Sequence, residues 1–331
     1  MTMPAPALAS SGSKPPNPIT SSGTYYLSDY MSVDTLTINP GLTVQLDGNM
    51  DLIDKPQIVC GAGVALTLNK VYLATRTLGC ALTFQGSGNS LFFLGDNSLL
   101  SGPDHPGICV ETGTELEIRG DDAASLISTG GQNGAGIGGA SYTIGGKDSG
   151  VIKILSGFVS ATGGEKAAGI GGGNDLSNGT LLISGGLVVA TAGNYASGIG
   201  GKNGGNITIT GGEVYATSER LSAAIGGGED GSAGTITITG GTVDARAIDP
   251  DGISSNGAGI GCGHNGKHGG TVTITGGTVY AESGQCGAGI GGAFAAEIDS
   301  VKISGGNVTA RSSIGGAGIG GGSIASGGTI S

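Results

Sequence analysis

A short phrase, Gly-Ile-Gly or once Ala-Ile-Gly, occurs seven times between residues 136 and 320 and constrains the fold of this chain more than any other feature. The isoleucine of the phrase stands at Ile137, Ile170, Ile199, Ile225, Ile260, Ile290 and Ile319, at intervals of 26 to 35 residues. A sequence period between about 20 and 50 residues is typical of solenoids, propellers and other repeat arrays. The first prediction is therefore that this chain stacks repeated structural units.

A second stretch alternates apolar and polar residues between successive copies of the phrase. It reads Gly-Thr-Ile-Thr-Ile-Thr-Gly-Gly-Thr-Val-Asp-Ala over 234–245 and recurs with few changes over 270–281. Alternation with a period of two residues indicates β-strands with one buried face. The residues predicted to point inward are Ile207, Ile209, Val214 and Ala216, then Ile236, Ile238, Val243 and Ala245, then Val272, Ile274, Val279 and Ala281.

Each repeat thus offers three short strands, Ile-Thr-Ile, Val-x-Ala and Ala-Gly-Ile-Gly, separated by glycine corners. Such strands cannot bury an apolar stripe alone, but stacking one repeat on the next buries a continuous core. Three strands in a rung of about 30 residues favour an all-β parallel β-helix, since a propeller blade needs about 40–45 residues and four strands. Glycine at the corners permits positive φ angles without a steric penalty.

Composition and charge narrow the functional classes. Glycine accounts for 73 of the 331 residues, yet no Gly-X-Y period indicates collagen. The formal net charge of −11 argues against nucleic acid and anionic membrane surfaces as partners. Because no apolar run approaches the ~18 residues of a membrane span, we predict no membrane insertion.

The chain divides into three predicted regions. Residues 1–23 are predicted to be a flexible leader rich in Pro, Ser and Ala, 24–130 irregular opening rungs with bulkier residues, and 131–331 the regular β-helix. No secretory signal is visible at the start. The chain stops inside a repeat, which suggests a fragment of a longer protein or an open rung available for end-to-end self-association.

The order of these phrases resembles a family of bacterial β-helical surface proteins, common in Firmicutes and often described as carbohydrate-binding-domain-containing. The stretches that carry the resemblance are Tyr25–Leu27, Leu42–Gly48 and Ala135–Gly139 with its later copies. The resemblance covers roughly residues 22–331. It implies a right-handed β-helix, display at the cell surface, and binding of glycan or matrix, as in an adhesin.

One outward column on the second strand of each repeat is the predicted ligand face. It runs Ser160, Val189, Tyr215, Asp244, Tyr280 and Thr309. Tyr215 and Tyr280 lie two rungs, or ~10 Å, apart at sheet spacing, so both rings could stack on alternate sugars with Asp244 bonding a hydroxyl between them. Arg246 and Arg311 could bind uronate carboxylates through their planar guanidinium groups. The alternative is that tyrosine is simply a common residue on strand surfaces.

Other motifs favour a structural role. Cys262, His264 and His268 have side chains that suit zinc, although no fourth ligand is evident. Acidic turns such as Glu229-Asp230 could supply oxygen ligands to calcium between rungs. Apart from this alternative, we expect no cofactor. Gly134-x-Gly136-x-x-Gly139 matches a dinucleotide fingerprint but recurs with the repeat, so we interpret it as a corner.

The cysteines and the dispersed charges complete the sequence-based expectations. Cys80 and Cys109 lie about one repeat apart and could stack on neighbouring rungs, although reduced thiols are the expected state. No catalytic constellation is evident, and the 14 lysines and arginines are scattered. We therefore expect a non-enzymatic extracellular solenoid that binds a polysaccharide or a host or matrix glycan. The alternatives are a phage tail or spike that binds host polysaccharide on a virion, and a polysaccharide lyase-like enzyme.

Overall fold

The computed structural model describes residues 16–77, 79–248, 256–266 and 269–331. Within these ranges the chain forms 33 β-strands and two short 3-10 helices, Leu27–Tyr30 and Tyr142–Ile144. Successive strands fall in turn into three sheets, so that one passage through all three completes a rung. All pairings between these strands are parallel, and the molecule is a right-handed parallel β-helix, as predicted.

The three sheets are named I, II and III in the order in which a regular repeat enters them, starting at its Ile-Thr-Ile strand. Sheet I contains β1 (Gly23–Tyr26), β3 (Thr43–Asp47), β6 (Ala65–Asn69), β9 (Asn89–Leu94), β12 (Glu115–Gly120), β15 (Val151–Ile154), β18 (Thr180–Ile183), β21 (Asn206–Ile209), β24 (Gly234–Ile238), β27 (Gly270–Ile274), β30 (Ser300–Ile303) and β33 (Thr329–Ile330). Sheet II contains β4 (Leu52–Ile53), β7 (Tyr72–Thr75), β10 (Asp96–Ser101), β13 (Ser125–Thr129), β16 (Phe158–Thr162), β19 (Leu187–Thr191), β22 (Glu213–Ser218), β25 (Thr242–Ala247), β28 (Thr278–Ser283) and β31 (Asn307–Ser312). Sheet III contains β2 (Thr35–Ile38), β5 (Gln57–Cys60), β8 (Leu82–Phe84), β11 (Ile108–Cys109), β14 (Ile137–Gly138), β17 (Ile170–Gly171), β20 (Ile199–Gly201), β23 (Ile225–Gly227), β26 (Ile260–Gly261), β29 (Ile290–Gly291) and β32 (Ile319–Gly320).

The repeated isoleucine forms an unbroken ladder along sheet III. Each of the seven pairs directly with the next, from Ile137 through Ile319, and Ile108 extends the ladder one rung earlier. All but the last are buried. The uneven intervals between copies are therefore absorbed in the loops, and the strands stay in register.

The predicted inward residues of sheets I and II line the core. Ile207, Ile236, Val272 and Val301 pair in one ladder, and all four are buried. Every other predicted inward residue is also buried. Side chains on alternate faces of a strand explain this result, because a slip of one residue in register would expose the entire set.

Loops cover the outer face of sheet III. The segment before one sheet III strand contacts the segment after the strand of the next rung, as where the N–H of Glu229, after β23, donates to the carbonyl of Tyr195, before β20, over 3.2 Å. Gly171, with φ of 135°, lies beneath this layer, and a Cβ there would overlap the carbonyl oxygen of Gly200. Glycine is thus required where backbone layers approach this closely.

The ordered rod begins before the predicted boundary at residue 23. Ile19 is fully buried and forms a parallel bridge with Ile38, and the Asn17 side chain accepts from the Thr37 N–H. The described residues of the predicted flexible leader, 16–23, therefore pack on the first rung, and residues 1–15 lie outside the described part. No break separates 24–130 from 131–331, since all three sheets continue through this point.

The last rung presents its core side to solvent. Ile330 is 51% exposed, whereas Val301, which pairs with it on the preceding rung, is completely buried. Among the described residues, no helix has the length and apolar character needed to cross a bilayer.

Candidate functional site

The outward residues predicted as a ligand face on sheet II lie in one ordered column, here called the tyrosine column. Ser160, Val189, Tyr215, Asp244, Tyr280 and Thr309 pair in succession on six adjacent strands. A second outward column runs beside it through Thr162, Thr191, Thr217, Arg246, Glu282 and Arg311. The predicted register is confirmed, and the five predicted site residues Tyr215, Asp244, Tyr280, Arg246 and Arg311 lie on one face.

Contacts within this face occupy most of the predicted binding groups. Arg246 binds the Asp244 carboxylate through two hydrogen bonds, Nε to Oδ1 at 2.7 Å and Nη2 to Oδ2 at 2.9 Å. This bidentate pair raises the pKa of Arg246 above its ordinary value. Both Asp244 oxygens already accept from arginine, so a sugar hydroxyl would have to share them.

Tyr280 is similarly engaged. Its hydroxyl donates to Glu282 Oε2 over 2.8 Å, and burial, followed by this hydrogen bond, raises its pKa. The guanidinium carbons of Arg246 and Arg311 lie 4.8 and 5.6 Å from its ring centroid, from the rungs before and after. These cation–π contacts place arginines where a stacked sugar would lie. Tyr215, 40% exposed, keeps the most accessible ring of the column.

A concave site lies elsewhere, in the loop layer over sheet III. This feature, here called the loop cleft, has a volume of about 480 Å³. Most of its walls come from segments that flank β17, β20 and β23, and Gln132, before β14, adds a residue from a fourth rung. The side chains and glycines that line it are Gln132, Glu165, Lys166, Gly172, Gly173, Asn174, Asp175, Tyr195, Ala196, Gly201, Lys202, Glu229 and Asp230.

Repeat glycines and Ala196 form the small-residue part of the loop cleft lining. Gly172, Gly173 and Gly201 follow or end the sheet III strands, and a Cβ at Gly173 would overlap the carbonyl of Ala140. The residues just beyond the glycines project into solvent on tight turns. Asp175 and Asp230 occupy equivalent places there, with φ of 61° and 58°, a left-handed conformation that Asp tolerates better than most residues.

Acidic side chains outnumber basic ones in the lining of the loop cleft. Four carboxylates, those of Glu165, Asp175, Glu229 and Asp230, accompany two lysines. Lys202 Nζ pairs with Asp175 Oδ1 at 2.7 Å, and Gln132 Nε2 donates to Glu165 Oε2 at 3.4 Å. Tyr195 is half-buried among these groups and supplies an aromatic ring. The arrangement therefore combines a flat apolar surface with many hydrogen-bonding groups and a net negative lining.

Sequence reasoning did not assemble this cleft. It noted Glu229-Asp230 as an acidic turn, but Asp175 lies some fifty residues earlier and joins the same cleft only through stacking of the rungs. The useful signal was the variable loops after each Gly-Ile-Gly phrase, because loops at one corner of a solenoid share a face.

The proposed zinc cluster does not form from its described members. Cys262 belongs to the hydrophobic core, where its thiol donates to the Glu297 carbonyl, and burial raises its pKa to about 12. A metal would have to displace the proton of this thiol, and burial among apolar side chains opposes the charged thiolate. His264 instead stacks on Phe294, with ring centroids 5.3 Å apart. His268 lies outside the described residues.

No other metal centre is evident in the part of the chain that the structure describes. No group of three or more His, Cys, Asp or Glu side chains is placed there to hold a metal ion. The acidic turns of the loop cleft therefore offer no assembled calcium site. Calcium would need six to eight oxygen ligands from several converging groups.

Comparison with known proteins agrees with the architecture. A family model described as a beta helix repeat matches residues 152–174, 207–229, 236–264, 272–294 and 301–323, rather more than a third of the chain. No curated protein and no solved structure matches the chain. Each matched segment starts within a sheet I strand and ends in the loop after a sheet III strand, which is one complete rung. The chain is thus similar to beta helix repeat proteins, and its fold is a parallel β-solenoid.

Proposed function

We propose that this protein is a non-enzymatic, extracellular β-solenoid that binds a glycan in the loop cleft. The observation that carries the proposal is the combination of Tyr195 with carboxylate, amide and ammonium groups of three rungs and with small residues. A volume of about 480 Å³ falls within the range of small-ligand sites. An adhesive role follows from the same site, since a rod that holds a surface glycan attaches its bearer to that surface.

The chemistry of the lining suits a saccharide. Sugar hydroxyls both donate and accept, so carboxylates and amides such as Glu229 and Asn174 can each pair with them. The apolar face of a sugar ring can pack on the Tyr195 ring, which has an apolar body and a polar tip. The excess of carboxylates over lysines favours neutral or amino sugars over uronates, because like charges in a confined site repel.

The tyrosine column makes a different prediction. Its arginines, Arg246 and Arg311, favour acidic glycans, and its ligand would have to displace the contacts around Tyr280. The two sites therefore differ in ligand charge, and one experiment can separate them.

The test is a glycan array with neutral, amino and uronic sugars, followed by calorimetry on the best ligand. Tyr195→Ala and Glu229→Gln should each weaken binding by about tenfold, the effect of losing a contact worth ~1.4 kcal/mol. The matched control is the double variant Tyr215→Ala/Tyr280→Ala, which should bind as the unmodified protein does. Loss of binding in the control alone would move the site to the tyrosine column. An unmodified protein that binds no glycan would overturn the proposal.

A second candidate is polysaccharide cleavage, favoured by the clustering of four carboxylates with Lys166 and Lys202. Paired carboxylates are the acid–base groups of glycoside hydrolysis. Incubation with the bound glycan should be followed for new reducing ends and for the ultraviolet absorbance of unsaturated products. Cleavage that Glu165→Gln abolishes, with binding retained, would favour the enzyme over the binding protein.

The proposed location is extracellular or cell-surface, with a virion tail as the alternative. The low content of charged residues, 12%, and the elongated stack suit an exposed rod. Antibody labelling of intact cells would support surface display, whereas recovery with phage particles would support the virion.

A further inference from the structure

Two cysteines and a histidine meet beneath the loop layer near the start of sheet III. Cys80 lies two residues before β8, and Cys109 ends β11 on the next rung. The Cys80 Sγ lies 3.8 Å from Nδ1 of His105. Cys109, whose strand pairs with β8, has the largest influence on the pKa of the Cys80 thiol. Neither cysteine forms a disulfide in the structure.

Cys109 occupies a position that later rungs give to glycine. Ile108 and Cys109 pair with Ile137 and Gly138, so Gly-Ile-Cys stands where the repeat has Gly-Ile-Gly. Gly138 has a φ of 140°, whereas Cys109 is not among the residues with positive φ, so the backbone at Cys109 departs from that of the later glycines.

The pair keeps a small opening to solvent that two other cysteines lack. Cys80 and Cys109 are 9% and 7% exposed, whereas Cys60 and Cys262 are completely buried. Cys286 is partly exposed and lies elsewhere in the rod. Cys60 and Cys262 therefore serve as buried negative controls, and Cys286 serves as the accessible reference thiol.

Electrostatics give the two thiols different roles. The hydrogen bond from Cys109, followed by that from His105, lowers the pKa of Cys80 to about 6. The same contacts raise the pKa of Cys109 and of His105. Near neutral pH, Cys80 is then a thiolate, and Cys109 remains a protonated donor. A thiolate beside a second thiol is the arrangement that thiol oxidation requires.

We propose that Cys80 and Cys109 form an oxidisable thiol pair, which a hydroperoxide converts to a disulfide with Cys80 as the attacking thiolate and His105 as its partner. Cys80 sulfur attacks one peroxide oxygen, the O–O bond breaks, and the departing hydroxide takes a proton from the protonated His105 to give water. Cys109 sulfur then displaces hydroxide from the sulfenic acid, its thiol proton leaving as part of a second water. Two thiols are oxidised to one disulfide, and one hydrogen peroxide is reduced to two waters.

Alkylation of the native protein tests the reactivity of Cys80. Iodoacetamide labelling at pH 6–9 is followed for each cysteine by peptide mass spectrometry. At pH 6.5, Cys80 should react about tenfold faster than Cys286, because only the thiolate is nucleophilic. Cys60 and Cys262 should stay unlabelled until the protein is denatured. A Cys80 rate at or below that of Cys286 would overturn the proposal.

Oxidation with limiting hydrogen peroxide tests the bond itself. Cys80 and Cys109 share one tryptic peptide, since no Lys or Arg lies between Arg76 and Arg119. That peptide should lose the mass of two hydrogen atoms. Cleavage at Asp96 and Asp104 should then separate its two halves only after reduction. A peptide that keeps both thiols, or a bond to Cys286, would contradict the assignment.

Variants separate the three roles. In Cys109→Ser, oxidation should stop at a Cys80 sulfenic acid, which dimedone traps. His105→Gln should raise the pKa of Cys80 and so slow the reaction of Cys80 about tenfold. Cys286→Ser is the matched control and should form the bond at the normal rate. A Cys109→Ser protein that yields no trapped Cys80 adduct would show that Cys80 is not the attacking sulfur.

Discussion

Glycine is constrained in two ways at Gly171, where sheet III strand β17 ends. Gly171 combines a φ of 135° with a position directly against the carbonyl of Gly200 on the next rung. Gly113 also has positive φ, 92°, but no atom lies within 4 Å of where its Cβ would be. The two glycines therefore share an unusual backbone angle, but only Gly171 has a neighbouring rung where a Cβ would lie.

This difference predicts unequal costs of substitution. Gly113→Ala should lower the free energy of unfolding by about 1 kcal/mol through backbone strain alone. Gly171→Ala should cost about 3 kcal/mol or more, because the methyl group also forces two rungs apart. Urea denaturation of both variants provides the measurement. Similar midpoints would mean that close packing of the rungs adds nothing to the demand for glycine.

At the scale of the element, alternation along one strand decides which residues the core receives. In β24, Ile238 is completely buried, whereas Thr237 points outward and is half-buried. Both pair with equivalent residues, Ile209 with Ile238 and Thr208 with Thr237. The environment of the two positions thus differs mainly in the direction of the side chain.

Ile238→Asp should therefore destabilise the protein far more than Thr237→Asp. An unpaired charge in the core costs about 3–5 kcal/mol, whereas the outward aspartate remains solvated and should cost less than about 1 kcal/mol. Thermal melts followed by circular dichroism would show the contrast. Equal shifts in melting temperature would contradict the inward and outward assignment.

Periodicity explains why the sequence predicts the strands so well and the site so poorly. Alternation and the Gly-Ile-Gly phrase determine the register. Each residue of the ladder Ile207, Ile236, Val272 and Val301 could therefore be predicted correctly. The packing of two arginines around Tyr280 depends on side-chain conformations that no period encodes. The loop cleft likewise arises from single residues on separate rungs, such as Glu165, Tyr195 and Glu229.

At the scale of the whole molecule, each rung packs mainly on its two neighbours. Strand order in every sheet follows the order of rungs along the chain, so contacts extend in one dimension. Stability in such an array is approximately a sum of rung terms and interface terms between neighbours. A rung at the end has one interface and an interior rung has two.

Amide hydrogen exchange should therefore be graded along the rod. Protection should be highest in central strands such as β18, β21 and β24 and lowest in β33, where Ile330 is 51% exposed. Exchange measured by mass spectrometry on overlapping peptides would resolve this gradient. Uniform protection from end to end would instead show that the whole stack opens as a single cooperative unit.

The loop layer over sheet III has a consequence for how such a molecule can diversify. Its segments vary in length between rungs, yet the isoleucine beneath each one stays in register. A residue exchanged at the rim, such as Asp175 or Asp230, meets solvent and leaves the central column of apolar side chains intact. The loop surface and the buried core are therefore built from different residues of each repeat, so substitutions can change the surface while the fold is kept.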